Sequence, residues 1–268
     1  MPRQSKSILA VLPDPETIDI SALASSYASG ETDLIVVLGP TASGKTKYAV
    51  RLARELPGAE IISADSRQVY RGMDIGTGKD LAEYGDIPYH LIDIADAGTQ
   101  YNVYEFQRDF AAAWRDIRSR GGVPVLCGGT GLYINAVTAG YDFKEKRPLS
   151  EGRGDAPAAE DLPQHPYFIG TLVSREVRNA RIDARLDARL QDGMIDEVKG
   201  LLDNGVPAPV LLSYGLEYKF VTLYLQGELN YDEMREKLAT AIHQFAKRQM
   251  TWFRGMERSG AVIHWVEV

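Results

Sequence analysis

The hydrophobic positions change their period several times along this chain, and the changes divide it into elements. Leu34-Ile35-Val36-Val37-Leu38 is a short continuous run rich in β-branched residues, the pattern of a strand buried on both faces. Tyr48, Leu52 and Leu56 then recur at helical spacing. Glu60-Ile61-Ile62-Ser63, Tyr89-His90-Leu91-Ile92-Asp93 and Val123-Pro124-Val125-Leu126 read as further strands. A helix over Val103 to Arg118 carries Phe106, Phe110, Ala113 and Ile117 along one side as its packing face. Strands alternating with helices predict a parallel sheet covered on both faces. Later in the chain the pattern predicts a helix over Ser174 to Leu202, a second over Tyr231 to Arg254 and a closing strand over Ala261 to Val268.

These elements organise the chain as follows. Residues 1–30 are a Ser- and Ala-rich extension without a clear period, as consistent with a packed strand or short helix as with a flexible arm. Residues 31–140 form an α/β core, residues 141–166 a polar link rich in Pro, Gly, Glu and Asp, and residues 167–268 a helical part that completes the core.

The connection after the first strand carries chemistry. Gly39-Pro40-Thr41-Ala42-Ser43-Gly44-Lys45-Thr46 fits the phosphate-cradling pattern GxxxxGK[ST] and lies between a strand and a helix, the context that makes such a match meaningful. In such a loop successive backbone N–H groups and the positive end of the helix converge on a polyphosphate. Lys45 adds a cation, and the Thr46 hydroxyl is placed to reach Mg²⁺. The fold class is therefore α/β: a P-loop NTPase-like parallel sheet flanked by helices, with a mainly helical C-terminal part. Ligands of such sheets collect at the carboxyl ends of the strands, where Gly39–Thr46, Ala64–Ser66 and Gly128–Gly131 all lie.

Composition narrows the partners. A chain of 268 residues, 44% hydrophobic and 25% charged, has ordinary globular composition. Its net charge of −7 excludes a surface that coats nucleic acid everywhere but leaves room for a local basic groove. Cys127 is the single cysteine, which rules out an intrachain disulfide and points to the cytoplasm. His90, His165, His243 and His264 lack metal-ligand spacing, so no metal is assigned to the protein itself. The apolar run Ile8–Leu12 is too short for a signal or a membrane span.

The phosphate loop alone is shared by kinases, ATPases and GTPases, and the segments after it separate these. Ser63-Ala64-Asp65-Ser66-Arg67-Gln68-Val69-Tyr70-Arg71-Gly72-Met73-Asp74-Ile75-Gly76-Thr77-Gly78-Lys79 resembles the tRNA dimethylallyltransferases of the isopentenyltransferase family. So, in order, do Pro88-Tyr89-His90-Leu91-Ile92-Asp93, Cys127-Gly128-Gly129-Thr130-Gly131-Leu132-Tyr133 and Ala246-Lys247-Arg248-Gln249-Met250-Thr251-Trp252-Phe253-Arg254. The resemblance covers most of residues 34–140 and 170–265. It implies transfer of a dimethylallyl group from its diphosphate to the exocyclic amine of the adenine on the 3′ side of a tRNA anticodon, with Mg²⁺ accompanying the diphosphate.

On that resemblance Gly39, Thr41, Ala42, Ser43, Gly44, Lys45 and Thr46 hold the diphosphate, and Thr130 and Arg175 add donors to it. Asp65 matches the family aspartate that accepts the proton of the adenine amine. Ser66, Arg67, Gln68 and Val69 fall in the segment that meets the target nucleotide, which must leave its stack to react. Lys247 and Arg248, interleaved with Trp252 and Phe253, and the stripe Arg178, Arg181, Arg185 and Arg189 are candidate contacts to tRNA phosphates. Arg71, Asp74 and Lys79 suit turn or surface roles at least as well.

The chain departs from the family in places. Longer members carry a helical insertion and a His-Pro-Asn-Asp segment where this chain has only its polar link, so the resemblance is to a compact branch. Ile242 and His243 stand where a Thr-Arg pair is usual, and Tyr214-Gly215-Leu216-Glu217-Tyr218 departs from the common Gly-Tyr pattern. Three readings follow: a tRNA dimethylallyltransferase, a prenyltransferase acting on free AMP, ADP or ATP, and a P-loop small-molecule kinase. A monomer without membrane attachment is expected in each case.

Overall fold

The computed structural model describes residues 13–139, 157 and 159–268, so residues 1–12 and most of the polar link lie outside the described residues. Its elements, in chain order, are α1 (Ile20–Ser29), β1 (Leu34–Leu38), α2 (Lys45–Glu55), β2 (Glu60–Ser63), β3 (Tyr70–Arg71), β4 (Tyr89–His90), β5 (Ala95–Asp96), α3 (Val103–Ser119), β6 (Pro124–Gly128) and α4 (Gly131–Thr138). There follow β7 (Pro166–Leu172), α5 (Arg175–Gln191), α6 (Met194–Asp203), α7 (Ala208–Ser213), α8 (Leu216–Leu225), α9 (Tyr231–Arg258) and β8 (Ile263–Glu267).

Six strands form one all-parallel sheet in the order β4-β2-β6-β1-β7-β8, with β3 and β5 paired apart from it. β1 lies inside the sheet and is buried throughout, and alternation along it assigns each residue to one face. Leu34, Val36 and Leu38 join Phe106, Phe110 and Ile117 of α3 and Phe253 of α9 in one core. Ile35 and Val37 join Leu52 and Ala53 of α2 and Leu23 of α1 in the other. The extension that had no clear period therefore contains a helix, α1, capped by Asp19 and seated on the sheet through Leu23.

A third core gathers the helical part: Ile182 and Leu186 of α5, Met194 and Val198 of α6, Val221 of α8, and Met234 and Leu238 of α9. The 28-residue α9 joins the two regions, since its N-terminal half packs in the helical core and Met250, Phe253 and Met256 pack on the sheet. Asn230 and Glu233 start α9 with a reciprocal capping box, which satisfies donors that its first turn would leave open.

Two expectations are corrected here. The helix over Ser174 to Leu202 is two helices, because Gly193 takes a left-handed φ of 102° after Gln191 and redirects the chain. The strand over Tyr89 to Asp93 stops at His90, and Leu91 (φ 61°) and Asp93 (φ 56°) turn the chain away from the sheet. That turn brings the Asp93 carboxylate to Lys79, whose buried ammonium also donates to the Tyr70 carbonyl (2.7 Å) and the Asp74 carboxylate (2.6 Å). Lys79 is thus an internal knot and not a surface charge.

Candidate active site

The loop after β1 is shaped by close contacts. A Cβ at Gly39 would lie 2.1 Å from Thr171 Oγ1 and 2.5 Å from Ser43 Oγ, so only glycine fits, and those two hydroxyls bond each other at 2.6 Å. Ala42 (φ 63°) and Gly44 (φ 83°) take left-handed conformations that curl the loop back on itself. Gly44 caps α2 without a side-chain acceptor, which leaves the first N–H groups of the helix for an anion. Lys45 and Thr46 open that helix.

The loops after β1, β2 and β6 meet on one cavity of about 1030 Å³. Thr41, Ala42, Gly44, Lys45 and Thr46 line it from the first loop, Asp65, Ser66, Arg67 and Gln68 from the second, and Gly128 to Gly131 from the third. Hydrogen bonds lock the loops in register: Ser66 N donates to Thr130 Oγ1 (3.2 Å), Thr130 N donates to Ala64 O (3.2 Å), and Arg67 N donates to Asp65 Oδ1 (2.9 Å). The Thr130 hydroxyl is therefore tied to the Asp65 loop and not to its own turn. One oxygen of Asp65 is held by backbone, which orients the carboxylate in the cavity wall.

Gln249 of α9 was visible in the sequence only as a member of a motif, and the structure gives it a role. Its amide oxygen accepts from Thr41 N (2.8 Å) and its amide nitrogen donates to Gly129 O (2.9 Å), so one side chain joins the first and third loops. Glu197 of α6, which no sequence signal marked, does the same for the segment before Lys79. Its carboxylate accepts from the backbone of Asp74 (2.8 Å), Ile75 (2.7 Å) and Gly76 (3.0 Å) and from the Tyr218 hydroxyl (2.6 Å). Gly76 to Asp80, held in this way, form another stretch of the cavity wall.

Positive charge collects opposite the phosphate loop. Arg181, Arg185 and Arg189 of α5 face the cavity, so this stripe points at the same space as Lys45 and not along a separate outer surface. Burial, with Arg189 nearby, pushes the Arg185 guanidinium down to about 10, and burial likewise lowers Lys45 below the lysine range. Glu217 stands 3.7 Å from Arg189, and burial raises its carboxyl. Burial pushes the Cys127 thiol up to about 12, so it stays protonated beside the Thr46 hydroxyl. Lysine and three arginines in one half-enclosed space form a receptor for a compact polyanion.

Several sequence-marked residues lie elsewhere. Ser43 is fully buried and uses its hydroxyl on Thr171. Val69 is fully buried in the helical core, where its carbonyl accepts from Ile94 and Ala95. Arg175 is exposed in the first turn of α5, nearer the start of the helix than Arg181, Arg185 and Arg189, and is not part of the cavity lining. Lys247 is exposed and outside the lining, whereas Arg248 belongs to it. Gly39 shapes the loop from behind, against Thr171.

A parallel α/β sheet with a phosphate loop, a facing carboxylate and a converging set of cations defines a P-loop-type enzyme acting on a phosphorylated substrate. Comparisons narrow the class. The IPP transferase family model matches residues 68–161 and 143–256, and the isopentenyl transferase model matches residues 32–84. The tRNA dimethylallyltransferase 2 of Bacteroides fragilis is 49% identical over 284 aligned residues, covering 88% of this chain and 92% of the relative. The tRNA dimethylallyltransferase 1 of Geotalea uraniireducens is 50% identical over 279, with the same coverage. Among solved structures, the full-length tRNA isopentenylpyrophosphate transferase of Bacillus halodurans superposes with a TM-score of 0.75 at 33% identity, covering 87% of this chain and 89% of that one. The chain belongs to the IPP transferase family of tRNA-modifying prenyltransferases. An alignment of 284 positions on 268 residues opens gaps on this side, and the family match divides at residues 143–161, where the sequence has its shortened polar link.

Proposed function

We propose that this chain transfers a dimethylallyl group from dimethylallyl diphosphate to N6 of the adenine 3′ to the anticodon in tRNA, releasing diphosphate. The observation that carries the reading is the placement of Asp65 and Lys45 in one cavity, a proton acceptor and a diphosphate cradle on adjacent loops. The adenine amine is a poor nucleophile because its lone pair is delocalised, and a carboxylate that takes its proton as the new C–N bond forms lowers the barrier. On the other side of the transferred carbon the C–O bond breaks, and charge develops on the diphosphate oxygens. Loop N–H groups, Lys45, Arg185 and Arg189 stabilise that charge where it appears.

The residues present suit Mg²⁺. Thr46 and Asp65 present oxygen donors to the cavity, the donor type this cation prefers, and no cluster of three or more metal-ligating side chains exists among the described residues, so the ion would be held jointly by Thr46 and the diphosphate. When bound, it neutralises charge on the leaving diphosphate. We further propose that the protein works as a monomer in the cytoplasm; no described helix is long and apolar enough to cross a membrane.

The reading is tested by offering labelled dimethylallyl diphosphate with Mg²⁺ to unmodified tRNA and to AMP in parallel. Label in tRNA is expected; label in AMP alone assigns the free-nucleotide activity instead, and a phosphorylated product formed from ATP assigns a kinase.

A further inference from the structure

Tyr214 to Tyr218, the stretch that departs from the family's common pattern, forms part of the cavity wall and brings in a charge that the reaction as described does not use. Glu217, in the first turn of α8, faces the space that Asp65 also lines. Burial raises its carboxyl, and the like charge of Asp65 adds to that, so the two carboxylates share one end of the cavity. Its cationic neighbour is Arg189, 3.7 Å away. The three cavity-facing arginines of α5 are therefore not equivalent. Arg181 and Arg185 form no ion pair with a described residue. Arg189 is committed: its Nη1 donates to Gly76 O at 3.3 Å, its guanidinium lies on Gly78, where a Cβ would clash with Nη2, and Glu217 balances its charge. The side chains of this pair are only 11% and 21% exposed, so solvent screens their mutual field weakly.

We infer that Glu217 determines how many phosphates the site accepts: paired with Arg189 and beside Asp65, it bars a third phosphate and leaves that place to an uncharged carbon. This deepens the proposed function and rests on its placement of the diphosphate at Lys45. In a prenyl diphosphate the group bonded beyond the second phosphate is the methylene carbon, which must lie between the cradle and Asp65 for the amine to reach it. In a triphosphate the same position carries another anion. That anion would meet the carboxylates of Asp65 and Glu217, and the arginine at that end of the stripe is already neutralised. A phosphate loop with a lysine and free arginines attracts polyphosphates in general. Discrimination among them therefore needs a repulsive element, and this end of the cavity supplies it.

The test uses the full chain and measures how inorganic diphosphate and inorganic triphosphate compete with labelled dimethylallyl diphosphate at fixed free Mg²⁺, with transfer to unmodified tRNA followed in parallel. The wild type should bind diphosphate more tightly than triphosphate. Glu217→Gln, which keeps the shape and frees Arg189, should tighten triphosphate by ~10- to 100-fold relative to diphosphate. Arg189→Met should shift the same ratio the other way, because the Glu217 carboxylate then stands unbalanced. A merely structural role for the pair moves the ratio alike in both variants or leaves it alone. If Glu217→Gln does not fold, the shift in Arg189→Met decides. A wild type that prefers triphosphate, a ratio unchanged in the folded variants, or shifts of the same sign in both overturn the inference, and label transferred to tRNA by that wild type leaves the proposed function standing. A wild type that binds neither dimethylallyl diphosphate nor inorganic diphosphate overturns both.

Discussion

Gln249 and Thr41 are 208 residues apart in sequence and joined by a 2.8 Å hydrogen bond in which the phosphate-loop N–H donates to the side-chain amide. Because the same amide donates to Gly129 O, α9 holds two substrate loops at a set spacing. Gln249→Ala should leave both backbone groups unpaired in a largely buried setting, at a cost of about 1–3 kcal/mol. Thermal unfolding should fall by several degrees, and kcat should fall more than folding stability explains, because loop spacing changes; an unaltered kcat in a folded variant contradicts the role.

Glu197 makes a parallel case away from the phosphate loop. Glu197→Ala removes the common acceptor of Asp74, Ile75 and Gly76, and a loss of about 2–3 kcal/mol is expected in chemical denaturation. Glu197→Gln, which keeps one acceptor oxygen, should lose less. Equal losses in the two variants would show that carboxylate charge and not acceptor geometry holds the segment.

Stability should depend on pH through Glu60. Arg120 donates to both its oxygens (2.5 and 3.1 Å) and His90 lies 2.6 Å away; the Arg120 bonds, more than His90, hold its carboxyl below the usual range against the cost of burial. A lowered folded pKa means the contribution is whole above the unfolded value near ~4.3 and disappears as pH falls through the folded value. Denaturation midpoints measured from pH 6 to 3, chosen to span that ~4.3 value, should drop less steeply in Glu60→Gln than in the wild type.

Lys45 supplies a second pH dependence, on binding. Since burial lowers its ammonium, diphosphate affinity of the free protein should begin to fall at a pH below the ordinary lysine value of ~10.4, because the neutral amine no longer attracts the anion. Lys45→Ala should weaken binding and turnover together and remove that limb of the profile. Calorimetric titration with inorganic diphosphate across alkaline pH checks it.

The sheet was legible in the sequence because its signals are local. β1 is an unbroken apolar run rich in β-branched residues, and the phosphate loop announces itself by spacing within eight residues. Convergence of three loops followed from the rule that strand ends share a side. What escaped depended on distance or on one backbone angle. Gly193 sits in a long helical pattern, and nothing local distinguishes its left-handed φ from a tolerated helical glycine. Lys79 reads as a surface charge until the turn at Leu91 and Asp93 delivers a carboxylate to it. The arginine stripe was visible as a stripe, but its target depended on which way α5 faces. That orientation brings Arg181, Arg185 and Arg189 into the site.

Nucleoside mapping shows whether Asp65 accepts the proton of a tRNA adenine while the facing cradle holds the leaving diphosphate. Unmodified tRNA is incubated with dimethylallyl diphosphate and either wild type or Asp65→Asn, then digested and analysed by mass spectrometry. The wild type is expected to give N6-dimethylallyladenosine immediately 3′ to the anticodon, and Asp65→Asn a rate lower by ~10²- to 10⁴-fold at unchanged diphosphate affinity. Modification by Asp65→Asn at the wild-type rate, or tRNA left unmodified by the wild type, would contradict that expectation.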